Sequence, residues 1–331
     1  MGSRFGGCPL LNPELKNSKG VPMPAPLCTI PKDLSKTRTE VKTLDRLWHR
    51  PDEIWTRIHE KYDGSDTIYA NLDTGYSPHP NLPKPIAERS FIRGEAVRDG
   101  NGHGNHPIGT SVGRDIGLAP GAKLIVGKVL SDSGSGSSDG IAQAIRWAVN
   151  EGADVINLSI GGGGFYAPMR DAILFALERG CIVNAAAGNS GFREGGNTID
   201  YPGKYFESLC CGAFREDGRI AGFSSGGREM DWACPGQDIV SASHLGSGFV
   251  SMSGTSMATP FGSGLLLLMI GLMRREGHAS FTGIDAVREF LGKYSIDAGQ
   301  EGVDDRFGRG VPKSTEIVQS LAAEDMTMLA V

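Results

Sequence analysis

The sequence predicts a three-layer α/β fold, in which a mostly parallel central sheet is flanked by helices. Strand-like runs alternate with helix-like runs along the chain, a pattern typical of a parallel sheet with helices on both faces. The 331 residues are 39% hydrophobic, which is enough to bury a large core. The 48 glycines indicate many tight turns and close backbone approaches. These observations favour one large domain with short extensions.

Apolar runs predict the strands of this sheet, and amphipathic runs predict the helices between them. Residues 138–150 place their apolar side chains on one helical face, with Ser138 or Asp139 available as the N-terminal cap. Residues 167–179 repeat the pattern, and Gly180 closes that helix. The predicted strands are TIYANLD (67–73), AKLIVGKVL (122–130), ADVINLSI (153–160), CIVNAAAG (181–188) and SLCCGAF (208–214).

The composition argues against several function classes. The net charge is −5 and no cluster of Lys and Arg occurs, which argues against a nucleic-acid partner. The apolar run GLLLLMIGLM (264–273) is about half the length that spans a bilayer, so it predicts a buried helix and no membrane partner. Six cysteines without a CxxC pair predict reduced, buried thiols and no zinc site. The first thirty residues lack a signal-peptide pattern, so we expect a cytoplasmic protein unless a secreted form has been trimmed.

Polar residues stand where the predicted strands end, and ligands of parallel sheets gather at that edge. Asp73 ends the first strand in LDTG, Ser159 ends another in NLSIGGGG, and Asn189 follows a third in AAAGN. Ser256 in SMSGTSMATP opens the apolar helix. Each motif by itself is more often a turn or a helix cap than an active site.

Taken in order, these residues offer the groups that nucleophilic catalysis needs. A serine hydroxyl reacts once a base removes its proton, a third group fixes the tautomer of that base, and preorganised donors stabilise the oxyanion. His103 in NGHGNHPIGTS supplies a base, and Asp73, Ser256 and Asn189 supply the other functions. A helix N-terminus at Ser256 also directs backbone N–H groups towards negative charge.

These motifs resemble those of the subtilisin family (subtilases) of serine proteases. LDTG, HGNH, AAAGN and GTSMATP occur in the order of that family, and the likeness spans about residues 50–320 with HPNL, YPGKY and RFGRGVP. The resemblance implies an intracellular-type serine endopeptidase that acts on protein or peptide substrates through an acyl-enzyme. Asp73 would orient His103, His103 would be the general base and then acid, Ser256 the nucleophile, and Asn189 an oxyanion donor.

The resemblance also implies where substrate binds. Ser159, Ile160 and Gly161 resemble the strand that pairs with one side of the substrate backbone, and Gly134, Ser135 and Gly136 resemble the strand on its other side. Substrate would then bind by strand addition. Asp200, which precedes the Tyr-Pro of YPGKY, would lie at the base of the S1 pocket and favour Lys or Arg at P1. The alternative is that Asp200 turns out to solvent in a variable loop.

The histidine motif departs from the family pattern at two positions. Asn105 stands where the family usually has Thr, and Pro107 stands where a small or β-branched residue is usual. Because proline has no N–H, we expect either that the helix begins after His103 or that its first turn is distorted. For His106 we expect a structural hydrogen bond, with metal ligation as the alternative.

We expect no cofactor and no essential metal. Subtilases commonly carry structural calcium, but the loop after the histidine helix is short here. The resemblance also permits a weaker calcium site near Cys211–Asp217, where Arg215 stands in place of an acidic ligand of some relatives.

The chain divides into three predicted parts. Residues 46–320 form the catalytic domain, beginning with a helix over 46–62 that restarts at Pro51, and residues 321–331 form a tail. The proline-containing extension 1–45 is either a self-inhibitor lying through the cleft or an ordered strap on the surface. A binding module that keeps the fold but has lost efficient proton transfer is the alternative from another function class. Processing of a single peptide precursor would use the same chemistry.

Overall fold

A computed structural model describes residues 35–36, 62–278, 281 and 283–322. The helix predicted over 46–62 lies almost entirely outside the described residues, as do most of the extension 1–45 and of the tail 321–331. The described strands are β1 (Ser35–Lys36), β2 (Ile68–Asp73), β3 (Ala87–Ser90), β4 (Lys123–Lys128), β5 (Val155–Leu158), β6 (Ile182–Ala186), β7 (Leu209–Phe214), β8 (Trp232–Pro235), β9 (Ile239–Ala242), β10 (Phe249–Met252), β11 (Ser295–Ile296) and β12 (Val311–Pro312).

A seven-stranded parallel sheet forms the centre of the molecule, with strand order β3-β4-β2-β5-β6-β7-β8. Every pairing between neighbours in this sheet is parallel. β2 lies between β4 and β5, so the order of connection reverses around it. Such a reversal opens a crevice at the carboxyl ends of the strands. The predicted α/β class is confirmed.

Helices cover both faces of this sheet and complete the three layers. α1 and α4 pack on one face with Leu124 and Val126, whereas α2 and α3 pack on the other with Ile125. This alternation follows from the two-residue period of a strand. The described helices are α1 (Asn105–Val112), α2 (Ser138–Asn150), α3 (Ala167–Leu177), α4 (Thr255–Arg275), α5 (Ile284–Lys293) and α6 (Ser314–Ala322).

The helix α4 is the buried helix predicted from the apolar run. By length and composition alone it could cross a membrane, but its apolar window is entirely buried inside this protein. It packs against α1 and against the central strands. It is therefore a core helix, and its first turn lies at the carboxyl edge of the sheet.

Element boundaries differ slightly from the predicted ones. The N-cap of α2 is Ser137, whose hydroxyl accepts from the Gly140 N–H, rather than Ser138 or Asp139. β5 ends at Leu158, two residues earlier than predicted. The chain leaves the sheet there because the next residue, Ser159, is bonded to α4 instead of to a neighbouring strand.

A small antiparallel sheet lies beside the parallel one, in the order β1-β10-β9. Its strand β10 leads into the first turn of α4. The two described residues of the N-terminal extension pair with β10, Ser35 with Val250 and Lys36 with Phe249.

Candidate active site

The carboxyl ends of β2, β5 and β6 bring the candidate residues to one edge of the sheet. Asp73 is the last residue of β2, Ser159 follows β5, and Asn189 follows β6 by three residues. Ser256 is the second residue of α4, and its hydroxyl contacts the backbone of Ser159. The strand-end rule therefore gathers these four residues from separate parts of the sequence.

Asp73 and His103 form a buried hydrogen-bonded pair. The Nδ1 atom of His103 lies 2.8 Å and 3.0 Å from the two carboxylate oxygens of Asp73. The Asp73 carboxylate is fully buried and also accepts from the Thr74 N–H at 2.6 Å. Because a carboxylate only accepts, Nδ1 carries the proton and Nε2 is left as the basic nitrogen of the neutral ring.

The surroundings of His103 favour its protonated form. Burial opposes the charged imidazolium, but the charge and hydrogen bond of Asp73 and the charge of Asp99 together outweigh burial, so the pKa of His103 is raised above 6.5. Asp99 is itself buried and was not singled out by the sequence analysis.

Ser256 makes no hydrogen bond to His103 in this structure. Its Oγ donates a hydrogen bond to the backbone oxygen of Ser159 at 3.0 Å. The Nε2 atom of His103 is buried and has no hydrogen-bond partner among the described residues. An unpartnered buried acceptor is costly, so the site holds a base that is ready to receive a proton. To give its proton to Nε2, the Ser256 hydroxyl has to exchange its hydrogen bond to Ser159 for one to His103.

Asn189 is oriented by the residue before Ser256. Its Oδ1 accepts from the Thr255 N–H at 2.9 Å and from the Thr255 hydroxyl at 3.1 Å. The Asn189 Nδ2 group and the Ser256 N–H make no hydrogen bond within the described part of the chain. Two donors are thus available beside the Ser256 hydroxyl, at a helix N-terminus.

The helix that follows His103 accommodates both departures from the family pattern. α1 begins at Asn105, and Pro107 is its third residue, where an N–H would have no partner inside the helix. The buried Asn105 side chain accepts from the Ser77 N–H and donates to the backbone oxygens of Ser77 and Ser243. The helix thus begins after His103, which confirms the first of the two expectations. The Asn105 side chain connects the loops of Ser77 and Ser243 to the start of this helix.

His106 has the structural hydrogen bond that was expected. It is fully buried, and its Nε2 lies 2.9 Å from the backbone oxygen of Ile239 in β9. No group of three or more metal-ligating side chains occurs among the residues that the structure describes.

The two segments predicted to pair with substrate are not strands in this structure. Gly134 lies in a turn with positive φ (79°), closed by a bond from Ser131 N–H to the Ser135 oxygen. A strand needs a neighbour, and within the described chain the backbone groups of Gly136 and Gly161 have none. Substrate pairing by Gly134, Ser135 and Gly136, and by Ser159, Ile160 and Gly161, therefore stays a prediction.

Asp200 faces the space between two glycines of the cleft. A Cβ atom built on Gly188 would lie 2.4 Å from an Asp200 carboxylate oxygen, and one built on Gly161 would lie 3.1 Å from it. The side chain is half-buried, and burial raises the pKa of Asp200, with Lys204 opposing this shift. Its carboxylate has no hydrogen-bond partner in the part of the chain described here. Because it is half-buried against Gly161 and Gly188, the Asp200 side chain does not have the solvent-facing position of the alternative prediction.

Within the segment Cys211–Asp217, the Asp217 carboxylate is already engaged in ion pairs, and the weak calcium site stays a prediction. The Asp217 carboxylate is paired with Arg215 at 3.0 Å and with Arg219 at 3.1 Å. Two guanidinium groups on one carboxylate leave it unsuited to a divalent cation. Strand β7 contributes buried, uncharged side chains over most of the rest of this segment.

Three residues of the site had no role predicted from the sequence. Thr74 donates its N–H to Asp73, its hydroxyl donates to Asp99, and that hydroxyl accepts from the Gly104 N–H. Asp99 also accepts from the N–H groups of the loop that leads to His103. Lys128 ends β4 beside Asp73 and is fully buried. Thr74 lies inside LDTG and Asp99 two residues before NGHGNH, so these motifs mark their positions, whereas Lys128 lies in the run AKLIVGKVL, which contains neither motif.

Comparison with known proteins gives a consistent family assignment. The model of the subtilase family matches residues 64–310. M-protease of Shouchella clausii (strain KSM-K16) is 42% identical over 213 residues, which are 62% of this chain and 54% of that protein. Subtilisin Savinase of Lederbergia lenta is 42% identical over 213 residues, which are 62% of this chain and 77% of that protein.

A third relative, subtilisin DY of Bacillus licheniformis, is 38% identical over 215 residues, which are 63% of this chain and 78% of that protein. The chain thus spans about half the length of M-protease and about three quarters of the two subtilisins. The expected intracellular type has no support in these comparisons and stays a prediction.

Proposed function

This chain belongs to the subtilase family, and from that premise we propose that it is a serine endopeptidase working through Asp73, His103 and Ser256. The observation that carries the proposal is the buried Asp73–His103 pair, whose free Nε2 has no other partner among the described residues. A base with a fixed tautomer and no competing partner is what a serine nucleophile needs.

The chemistry follows from these atoms. The Nε2 atom of His103 takes the proton of Ser256 as Oγ attacks the carbonyl carbon of the scissile peptide bond. The imidazolium, stabilised by Asp73, then gives its proton to the leaving amine, and the C–N bond breaks to leave an acyl-enzyme. Water attacks the ester with His103 again as the base, and the second product leaves with a free carboxylate.

The oxyanion of each tetrahedral intermediate would be bound by the Ser256 N–H and the Asn189 Nδ2 group. Both donors are free within the described chain, and Thr255 fixes the amide of Asn189. Preorganised donors of this kind lower the barrier because they need no reorientation as the charge develops.

The direct test is hydrolysis of an unfolded protein substrate by the full chain, by Ser256→Ala and by His103→Ala. We expect cleavage by the wild-type chain and a loss of at least about a thousandfold in both variants. Asn189→Ala should lower kcat about 100- to 1,000-fold with little change in KM. A folded wild-type chain that binds the substrate without cleaving it would instead support the binding-module alternative.

We further propose that Asp200 selects Lys or Arg at P1. Its half-buried carboxylate, free of partners in the described chain, faces the cleft between Gly161 and Gly188. A buried carboxylate without a partner is unfavourable unless a ligand brings the opposite charge. A guanidinium or ammonium group of the substrate would satisfy it.

A second proposal concerns self-inhibition by the N-terminal extension. Support comes from the pairing of Ser35 and Lys36 with β10, whose last residue stands four positions before Ser256. The two described residues of the extension thus lie beside the strand that leads into the helix bearing Ser256. An ordered strap that leaves the cleft open is the competing arrangement.

No essential metal is part of this proposal. The candidate calcium segment is occupied by arginine–aspartate pairs, and the reaction above uses only side chains and water. Thermal unfolding with and without a chelator tests this, and a large loss of stability in chelator would contradict it.

A further inference from the structure

We infer that Lys128 is a positioning residue for catalysis, which holds the turn bearing Asp73 and the loop bearing His103 in fixed relation. This inference rests on the proposed function. Lys128 is the last residue of β4, and it is paired in register with Asp73, the last residue of β2. Its side chain is fully buried.

The ammonium group of Lys128 has an acceptor for each of its protons. Its Nζ lies 2.6 Å from the backbone oxygen of Thr74, 2.7 Å from Oδ1 of Asp132 and 3.2 Å from Oε2 of Glu95. One cation thus joins three segments that are far apart in the sequence. The hydrogen bond from Lys128 is the main reason that the pKa of Asp132 lies below its ordinary value.

One branch of this network reaches Asp73. Lys128 fixes the Thr74 carbonyl, and the N–H of the same residue donates to the Asp73 carboxylate at 2.6 Å. A shift of the Thr74 backbone would therefore move a hydrogen bond of Asp73, the group that orients His103.

The other branch reaches His103 through Asp132. Oδ1 of Asp132 accepts from the Gly100 N–H at 3.1 Å, and its backbone oxygen accepts from the Asn101 amide at 2.9 Å. The oxygen of that amide in turn accepts from the His103 N–H at 3.3 Å. Asp99 also joins the two branches, because it accepts from the Thr74 hydroxyl and from the Asn101 N–H. Lys128 is the cation that bonds directly to both Thr74 and Asp132.

Stability alone is a weak reason for a lysine at this position. A buried ammonium loses its hydration, and apolar replacements of buried ion pairs are often neutral or stabilising. A cation with three fixed acceptors does, however, define the relative position of the groups it joins. Catalysis is sensitive to such positions, because a displacement of about 1 Å can cost about 100-fold in rate.

The charged groups near His103 set the expected pH behaviour. Asp73 contacts its ring, Asp99 adds a negative charge, and His244 lies against Gly102. The Lys128 ammonium offsets the charges of Asp132 and Glu95 in the adjoining network. Removing that cation would stabilise the imidazolium of His103 and raise its pKa.

The test compares Lys128→Met with Lys123→Met, which removes the same charge from the exposed start of the same strand. We expect Lys128→Met to lower kcat about 10- to 100-fold with KM within about twofold, and to move the acid limb of kcat/KM to higher pH. Lys123→Met should match the wild type. A folded Lys128→Met chain with wild-type kcat and pH profile would overturn the inference.

Asp132→Ala decides the question if Lys128→Met does not fold, because the Asp132 side chain is 56% exposed. A kcat lowered several-fold at unchanged Tm would support positioning, and an unchanged kcat would overturn it. A wild-type chain that cleaves no substrate would refute the proposed function, and this inference with it. An active wild type with equally active variants would refute this inference alone.

Discussion

His103 lies between carboxylates whose charges favour its protonation, although a general base must be neutral to act. Asp73 contacts the ring, and Asp99 acts on it from the loop just before it. The active form therefore exists only above the pKa of His103. Asp73, which orients His103 as the base, therefore also helps to set the pH below which the site is inactive.

We expect the acid limb of kcat/KM to have its midpoint above about 6.5, the ordinary value for histidine. The pKa of His103 is raised, so activity is lost as pH falls through that raised value. Asp99→Asn removes one of the charges that raise it and should move the midpoint to lower pH. Asp66→Asn, at the exposed far end of β2, is the control. An unmoved midpoint in Asp99→Asn would contradict this electrostatic account.

Asp200 should make Arg at P1 a better substrate than Phe or Leu. Asp200→Asn is expected to lower kcat/KM for the Arg substrate about 10- to 100-fold, because it removes a charge-assisted hydrogen bond. The Phe substrate should change little. Asp171→Asn, on the exposed side of α3, is the matched control. Wild-type cleavage of Phe or Leu substrates faster than Arg would rule out this role.

The helix α4 carries Ser256, and its packing fixes where the nucleophile stands. Gly262 approaches Trp232 of β8 so closely that a built Cβ atom would lie 2.5 Å from the indole ring. Gly271, later in the same helix, has its nearest such contact at 3.4 Å. Close packing against Trp232 therefore leaves no room for a side chain at Gly262, whereas Gly271 has room for one.

Gly262→Ala should destabilise the protein by about 1–3 kcal/mol, because the added methyl group overpacks the core against Trp232. Gly271→Ala should be neutral or stabilising by up to about 1 kcal/mol, because alanine favours helices. Denaturant unfolding measures both. Equal effects of the two changes would show that close packing at Gly262 does not constrain α4.

At the scale of elements, the sequence predicted five of the seven strands of the parallel sheet, missing β3 and β8, and it predicted the core helix and the residues at the strand ends. Apolar runs and helical periodicity are local signals, so they can be recognised without knowledge of the fold. The network of Thr74, Asp99 and Lys128 could not be predicted this way, because its bonds join segments far apart in the sequence. The same is true of Asn105, whose amide joins Ser77 to Ser243.

At the scale of the whole molecule, the two described residues of the N-terminal extension pair with a strand of the small antiparallel sheet. The pairing of Ser35 and Lys36 with β10 places these two residues beside the segment that leads to Ser256. Sequence alone left inhibition and strapping open, since a proline-containing segment has no periodicity to interpret. Activity measurements can separate the two arrangements.

Deletion of residues 1–45 should raise activity at least severalfold if the extension blocks the cleft. Deletion of 323–331, a truncation at the other end of the chain, serves as the control and should leave activity unchanged. Both chains need a check of folding by thermal unfolding. No gain in activity from a folded chain without residues 1–45 would argue for a strap instead of an inhibitor.

The central claim is that Ser256 is a nucleophile activated by the Asp73–His103 pair. Labelling with a fluorophosphonate probe, followed by mass spectrometry of the labelled peptide, tests this most directly, because the probe reacts with activated serines. We predict an adduct on Ser256, no adduct in Ser256→Ala, and labelling slowed at least about a thousandfold in His103→Ala. Absence of labelling in both the full chain and the chain without residues 1–45 would contradict the claim.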